Sequence, residues 1–259
     1  HLVGTAPATK IGMAEVYELA TSSHHFEVID ADARAPGLTV RVCSGLSCAL
    51  GGGAELLQKL ESAFGSAEVR VIPAPCLGRC EQGPIAVVHQ NPLPHASVQK
   101  VLDAVQAQAT AHPMAPDTGT FDLAAQVEHS ITAGLQDHAV APAYVGLRSY
   151  KANGGYALLA ELVADRHEAE QIIHVMESSG LRGLGGAGFP AGRKWRIVRG
   201  MAGPRMMAVN IDEGEPGTFK DRTYLERDPH RFIEGMLIAA RIVGVQACYV
   251  YLRDEYHGC

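Results

Sequence analysis

The chain has 259 residues, enough for one or two domains of ordinary size. Its 22 Lys and Arg against 28 Asp and Glu leave a net charge of -6, which argues against a nucleic-acid binder with its basic stripe. Hydrophobic residues at 47% and charged residues at 19% describe a globular chain rather than a disordered one. No apolar run reaches the roughly 18–20 residues of a membrane-spanning helix. The nearest, 235–252, is broken by Arg241 and Gln246, so a soluble, cytoplasmic protein is expected. The chain opens on His1 with no charged-then-apolar signal segment, and it closes on Cys259 with no capping chemistry, so both ends read as cut.

In chain order, the spacing of Met13-Ala14-Glu15-Val16-Tyr17-Glu18-Leu19-Ala20 suits a short amphipathic helix. Leu38-Thr39-Val40-Arg41-Val42 alternates and is rich in β-branched residues, which predicts a strand running into Cys43. Over 53–64, Leu56, Leu57, Leu60 and Phe64 share one helical face. A second strand, Val69-Arg70-Val71-Ile72, runs into Pro75-Cys76, and a third is expected over 85–88 after the Gly83-Pro84 turn. Val98, Val101, Leu102 and Val105 mark a further helix. Strand, helix, strand, strand, helix is the order of a compact α/β unit over 37–108, preceded by a helical remnant over 1–36.

From 106 to 141 the composition shifts to Ala, His, Pro, Asp and Thr. A linker is expected over 109–143, holding one weak helix near 124–135, with histidines solvated rather than metal-bound. The second domain, 144–259, is expected to carry helices over 157–162, 168–176 and 232–243. Strands are expected over 206–210 and 248–252, and a glycine-rich loop over 180–192.

Four of the six cysteines fall in two pairs, Cys43-x4-Cys48 and Cys76-x3-Cys80, and nothing in the chain indicates secretion. Each pair follows a predicted strand, so two loops leave the same sheet edge and can converge. Gly45, Gly51, Gly52 and Gly53 accompany the first pair and Gly78 sits inside the second. A [2Fe–2S] cluster needs four thiolates, and glycines let backbone N–H groups approach its sulfurs. A tetrahedral zinc site fits the same spacings, and disulfides or inert thiols remain open. The segments Val42-Cys43-Ser44-Gly45-Leu46-Ser47-Cys48 and Ala74-Pro75-Cys76-Leu77-Gly78-Arg79-Cys80 resemble the thioredoxin-like [2Fe–2S] ferredoxin module of the 24 kDa subunit of respiratory complex I. The helix over 14–21 resembles the last helix of the bundle that precedes that module.

Gly180-Leu181-Arg182-Gly183-Leu184-Gly185-Gly186-Ala187-Gly188-Phe189-Pro190 contains G-x-G-x-x-G, a weak signal alone. The loop follows a helix and runs into Phe-Pro, unlike a dinucleotide fingerprint. Bare glycine N–H groups beside Arg182, Arg193, Lys194 and Arg196 suit a phosphate, and a mobile surface lid is the bland alternative. Downstream, Asp212, Glu213 and Glu215 fit three roles equally: a Mg²⁺ site, a solvated acidic turn, or, with Asn210, contacts to a flavin edge or ribose.

Together these segments resemble the FMN- and NADH-binding 51 kDa subunit of complex I and the diaphorase subunits of NAD-dependent formate dehydrogenases and NAD-reducing hydrogenases. The likeness covers 144–256. It implies that Gly183, Gly185, Gly186, Ala187 and Lys194 line FMN, and that Asn210, Asp212 and Glu213 hold its isoalloxazine and ribityl portions. It also implies that Phe189 and Glu215 face the nicotinamide nucleotide. Ile197 stands where complex I usually has an aromatic residue.

The fold expected is therefore α/β: a thioredoxin-like [2Fe–2S] ferredoxin domain followed by the start of a 51 kDa-type FMN-binding domain. Cys43, Cys48, Cys76 and Cys80 are the expected cluster ligands. Fusion of the two modules, and the run over 184–196, look most like the β subunit of molybdenum- or tungsten-dependent formate dehydrogenases. That resemblance implies a catalytic α subunit as partner, NAD(H) as substrate and no side chain acting as general acid or base. Complex I or hydrogenase subunits are the alternative partners, and a zinc-stabilised, non-redox assembly module is the alternative of a different class. A [4Fe–4S] cluster is expected beyond this chain, Cys248 being read as a core thiol and Cys259 as a terminal residue.

Overall fold

The computed structural model describes residues 2–22, 26, 28, 36–64, 68–120, 144–184, 186–256 and 258–259. They form two compact units, the first reaching His112 and the second beginning at Pro113. The weak helix expected near 124–135 lies outside the described residues.

The first unit opens with α1 (Leu2–Thr9) and α2 (Met13–Ser22). It continues through β1 (Leu38–Cys43), α3 (Leu46–Leu50), α4 (Gly53–Phe64) and β2 (Val69–Ala74). A 3-10 turn (Cys80–Gln82), β3 (Ala86–Val88), β4 (Asn91–Leu93) and α5 (Val98–Gln106) complete it. The sheet order is β2-β1-β3-β4, with β1 parallel to β2 and both other pairings antiparallel. A parallel neighbour needs a crossover, and α4 supplies it. Val40, Val42, Leu60, Val88 and Val101 are buried together as the core, with Leu57 and Phe64 packed at its edge. Ser97 caps α5, its hydroxyl accepting from the Lys100 amide at 3.3 Å.

Two elements here, α3 and β4, were not expected, and α1 falls in the expected helical remnant without a periodic signal of its own. α1 contains Pro7 and mostly small residues, which give it no apolar face to read. α3 is only 5 residues long. β4 is a 3-residue strand with Pro92 at its centre, a composition that reads as loop. A tight hairpin makes it a strand: His89, at φ 57, turns the chain back so that Val88 pairs with Asn91.

The second unit holds α6 (Leu147–Ala152), α7 (Ala157–Val163), α8 (Ala169–Ser178) and α9 (Ala191–Arg199). Then come β5 (Met206–Ile211), α10 (Lys220–Arg227), α11 (Pro229–Val243), β6 (Ala247–Leu252) and a 3-10 turn (Asp254–Tyr256). β5 and β6 pair in parallel, from Met206 opposite Ala247 to Ile211 opposite Leu252. Leu162, Ile173 and Ile242 form the core, with Trp195 and Ile238 packed against it. No helix among the described residues is long and apolar enough to cross a membrane.

Two expectations are corrected. The glycine loop does not extend through 192: Pro190 is the N-cap of α9, so Ala191 and Gly192 are helical and the loop opens a helix after all. Gly192 serves packing instead, since a Cβ there would sit 2.5 Å from the Glu177 amide nitrogen on α8. Cys248 is not a core thiol but is exposed, because β6 lies open along most of its length.

Candidate cofactor sites

Both cysteine pairs sit where a strand hands over to a loop. Cys43 ends β1, Cys48 lies in α3, and Cys76 follows β2 ahead of the 3-10 turn that begins at Cys80. Cys43, Cys48 and Cys76 are buried, Cys80 is half-buried, and none of the four is tied in a disulfide. Cys76 Sγ and Cys80 Sγ are 3.4 Å apart. Cys43 hydrogen-bonds both Cys48 and Cys76, so the four sulfurs form one connected group.

Glycines make that convergence possible. A Cβ on Gly45 would meet the Cys43 sulfur at 3.4 Å, and one on Gly53 would meet the Cys48 carbonyl oxygen at 2.8 Å. Backbone amides of Gly45 and Leu77 face the Cys43 sulfur, that of Ile85 faces Cys48, and that of Gly78 faces Cys76. The shared hydrogen bond holds the Cys48 thiol below the ordinary thiol value and raises Cys43, its partner. Cys76 is pushed up to about 12, first by its hydrogen bond with Cys43 and then by burial. Four converging thiols, surrounded by amide donors in an apolar setting of Ala74, Leu77 and Ile85, are a donor set suited to iron–sulfur ligation.

The glycine loop is closed on itself. Gly183 N–H donates to the Phe189 carbonyl at 3.0 Å and Ala191 N–H to the Leu181 carbonyl at 2.8 Å. The Arg182 guanidinium crosses the loop to the Gly188 carbonyl at 3.0 Å. Gly186 and Gly188 have φ of 92 and 60, and a Cβ on either would point into open space. Conformation, not crowding, is what requires glycine at these two positions. Gly183, Gly186 and Ala187 are exposed at the tip, and Gly185 lies outside the described residues. Lys194 is exposed on the first turns of α9, and its Nζ and the Arg193 guanidinium each stand 6.0 Å from the Phe189 ring centre. Loop amides, a helix start and two cations fit a phosphate.

The acidic turn divides its labour. Asn210 lies near the end of β5 and is exposed, and its Oδ1 accepts from the Asp212 amide at 2.9 Å. Asp212 is half-exposed and Glu215 exposed. Glu213 is buried at 8% exposure and takes φ 43, so the three carboxylates do not form one solvated cluster. Its carboxylate accepts from the amides of Asp221 (2.9 Å) and Arg222 (3.1 Å) at the start of α10, and from the Tyr256 hydroxyl at 2.8 Å. The buried Arg253 guanidinium donates to the Glu213 carbonyl at 2.9 Å and to Glu255 at 2.7 Å. Burial, and then the hydrogen bond to Glu213, raise the Tyr256 hydroxyl far above its ordinary value. Arg253 and Tyr256 carried no sequence signal as part of the site, because they lie 40 and 43 positions from Glu213.

Residues 2–109 match the family described as thioredoxin-like [2Fe–2S] ferredoxin, and residues 176–258 the family described as Nuo51 FMN-binding domain. The NADH-quinone oxidoreductase of Rhizobium meliloti has a subunit, designated F 2, that is 48% identical over 111 residues, 42% of this chain and 26% of that protein. The mitochondrial NADH-ubiquinone oxidoreductase 51 kDa subunit of Neurospora crassa is 42% identical over 115 residues, 42% of this chain and 23% of that protein. Among solved structures, the H2-reduced NAD+-reducing [NiFe]-hydrogenase superposes with a TM-score of 0.66 at 27% identity, over 98% of this chain and 43% of that one. The chain thus spans about a quarter of the relatives it matches in sequence and under half of the solved chain.

Proposed function

We propose that this chain, a thioredoxin-like [2Fe–2S] ferredoxin domain followed by a Nuo51 FMN-binding domain, is the NAD(H)-linked diaphorase part of a larger oxidoreductase. The observation that carries it is the presence of both cofactor modules in one polypeptide. Bound FMN would supply hydride exchange with nicotinamide and single-electron transfer to iron–sulfur clusters. The protein binds, orients and tunes. Cys43, Cys48, Cys76 and Cys80 ligate the [2Fe–2S] cluster. Gly183, Gly185, Gly186 and Ala187 line FMN, the amides of Gly186 and Ala187 receive its phosphate, and Lys194 neutralises its charge. Asn210 and Asp212 hold the isoalloxazine and ribityl portions. Glu213 acts by fixing the turn, its carboxylate being occupied by α10 and Tyr256. Phe189 and Glu215 face the nicotinamide nucleotide.

We assign formate as the terminal electron donor, through a separate molybdenum or tungsten α subunit in the cytoplasm. The likeness of 184–196 to formate dehydrogenase β subunits supports this. A hydrogenase-type donor is the second reading, favoured by the solved NAD+-reducing hydrogenase whose likeness runs through both modules. The purified native complex is assayed for NAD+ reduction by formate and by hydrogen. Formate-dependent reduction is expected. Reduction by hydrogen alone selects the second reading, and reduction by neither overturns both.

A further inference from the structure

Glu215-Pro216-Gly217-Thr218 has the composition and geometry of a type II turn. Proline stands at its second position, Gly217 at its third with φ 91, and the Thr218 amide donates back to the Glu215 carbonyl at 3.1 Å. A Cβ on Gly217 would meet open space, so conformation rather than crowding asks for glycine there. The turn's own hydrogen bond uses its first carbonyl and its last amide, which leaves the Gly217 N–H for another acceptor. That acceptor is the Cys80 sulfur, 3.2 Å from the Gly217 nitrogen. The segment Gly214–Thr218 belongs to the first unit, although Gly217 follows Cys80 by 137 positions and falls outside the 2–109 match to the ferredoxin family.

Cys80 is the most exposed of the four cysteines. The amides that face the other three come from Gly45, Leu77, Gly78 and Ile85, all inside that match. Cys80 takes the Gly217 amide, together with a hydrogen bond from the Ser47 side chain. An N–H draws electron density from the thiolate that accepts it. Four thiolates and two sulfides around two ferric ions leave a net negative centre, and one-electron reduction makes it one unit more negative. The hydrogen bond therefore stabilises the reduced form more than the oxidised form. We propose that the Gly217 N–H raises the reduction potential of the [2Fe–2S] cluster by hydrogen-bonding its Cys80 ligand. This rests on the assignment of the cluster to the four cysteines. Gly217 ligates nothing: it is a positioning residue that acts through Cys80.

Gly217→Pro deletes the N–H, whereas Gly217→Asn keeps it on a residue that tolerates positive φ at this place in the turn. The test is an EPR-monitored redox titration of the cluster in the full chain, unmodified and in both variants, with iron and acid-labile sulfide counted in each. Gly217→Pro should retain two irons, and its midpoint should move to more negative potential by about tenfold in the reduced-to-oxidised ratio, which is 59 mV for a one-electron couple. Gly217→Asn should stay within threefold of the unmodified protein. A Gly217→Pro midpoint within threefold of the unmodified protein, or above it, overturns the proposal. A Gly217→Asn midpoint as low as that of Gly217→Pro assigns the effect to the shape of the turn and overturns it too. A second measurement does not depend on Gly217→Pro holding iron. With glycine labelled in ¹⁵N, pulsed EPR of the reduced cluster should show a glycine coupling that Gly217→Asn lacks. An unchanged set of couplings in that variant overturns the proposal. Absence of iron and sulfide from the unmodified chain would defeat the cluster assignment itself, a separate failure.

Discussion

At the scale of single residues, the two cofactor modules rest on opposite kinds of evidence. The cysteine group is defined by side chains that touch. Cys76 bridges it, hydrogen-bonded to Cys43 on one side and 3.4 Å from Cys80 on the other. Cys76→Ser exchanges a soft thiolate for a poor iron ligand, so the reduced-state EPR signal should be lost or strongly altered. An unchanged signal with two irons still bound would remove Cys76 from the ligand set. In the flavin module, the exposed Glu215 offers a charge rather than a contact. NADPH carries an additional phosphate of about -1.5 to -2 charges, and a nearby carboxylate repels it. NAD(H) should therefore be preferred, and Glu215→Gln should relax the preference in the full-length enzyme by about tenfold, roughly 1.4 kcal/mol. The ratio of kcat/KM for NADH and NADPH measures it. An unchanged ratio in the variant denies Glu215 the role.

At the scale of elements, α8 and α9 meet through a glycine and an arginine. Gly192 brings the backbones together, and a side chain there would press on the Glu177 amide and the Met176 carbonyl carbon, which are backbone atoms unable to swing aside. Gly192→Val should destabilise the second unit by about 1–3 kcal/mol, the usual cost of overpacking, read as a fall in the midpoint of urea unfolding. One turn later Arg196 grips Glu177 with two bonds, at 2.8 and 2.7 Å, and also pairs with Glu170. That grip holds the Glu177 carboxyl below its usual range. A depressed carboxyl contributes its stability above the unfolded value, about 4.3 for Glu, and loses it as pH falls through the lower folded value. Unfolding free energy should therefore drop more steeply with acid below that point in the unmodified chain than in Glu177→Gln. Parallel pH profiles for the two would show the pair to be worth nothing, as many exposed ion pairs are.

At the scale of the whole molecule, each unit has its own core: Val40, Val42, Leu60 and their neighbours in the first, Leu162, Ile173 and Ile242 in the second. Separate cores make the cofactors separable. Gly186→Val forces a β-branched side chain to φ 92, a conformation it rarely adopts, and should cost flavin occupancy in the full-length protein. The [2Fe–2S] EPR signal should persist. Full flavin retention would favour a loop that binds nothing, and joint loss of both cofactors would deny that the modules fold independently.

The sequence by itself determined the elements with strong periodicity and the places where chemistry gathers. Leu56, Leu57, Leu60 and Phe64 on one face made α4 legible, and β-branched alternation made β1 legible. The paired cysteine spacings and the glycine run were visible because their signals are local. Tertiary structure decided whatever depends on distant partners. Asn91-Pro92-Leu93 is a strand only because β3 is beside it, and residue 192 must be glycine because Glu177 lies against it. Glu213 looks like an exposed acid in sequence and becomes a buried anchor through Arg222, Arg253 and Tyr256. Arg79 looks like an ordinary charged loop residue until the fold buries it. A periodic face or a ligand spacing is written in neighbouring residues, whereas the burial of a charge is a property of what the rest of the chain brings to it.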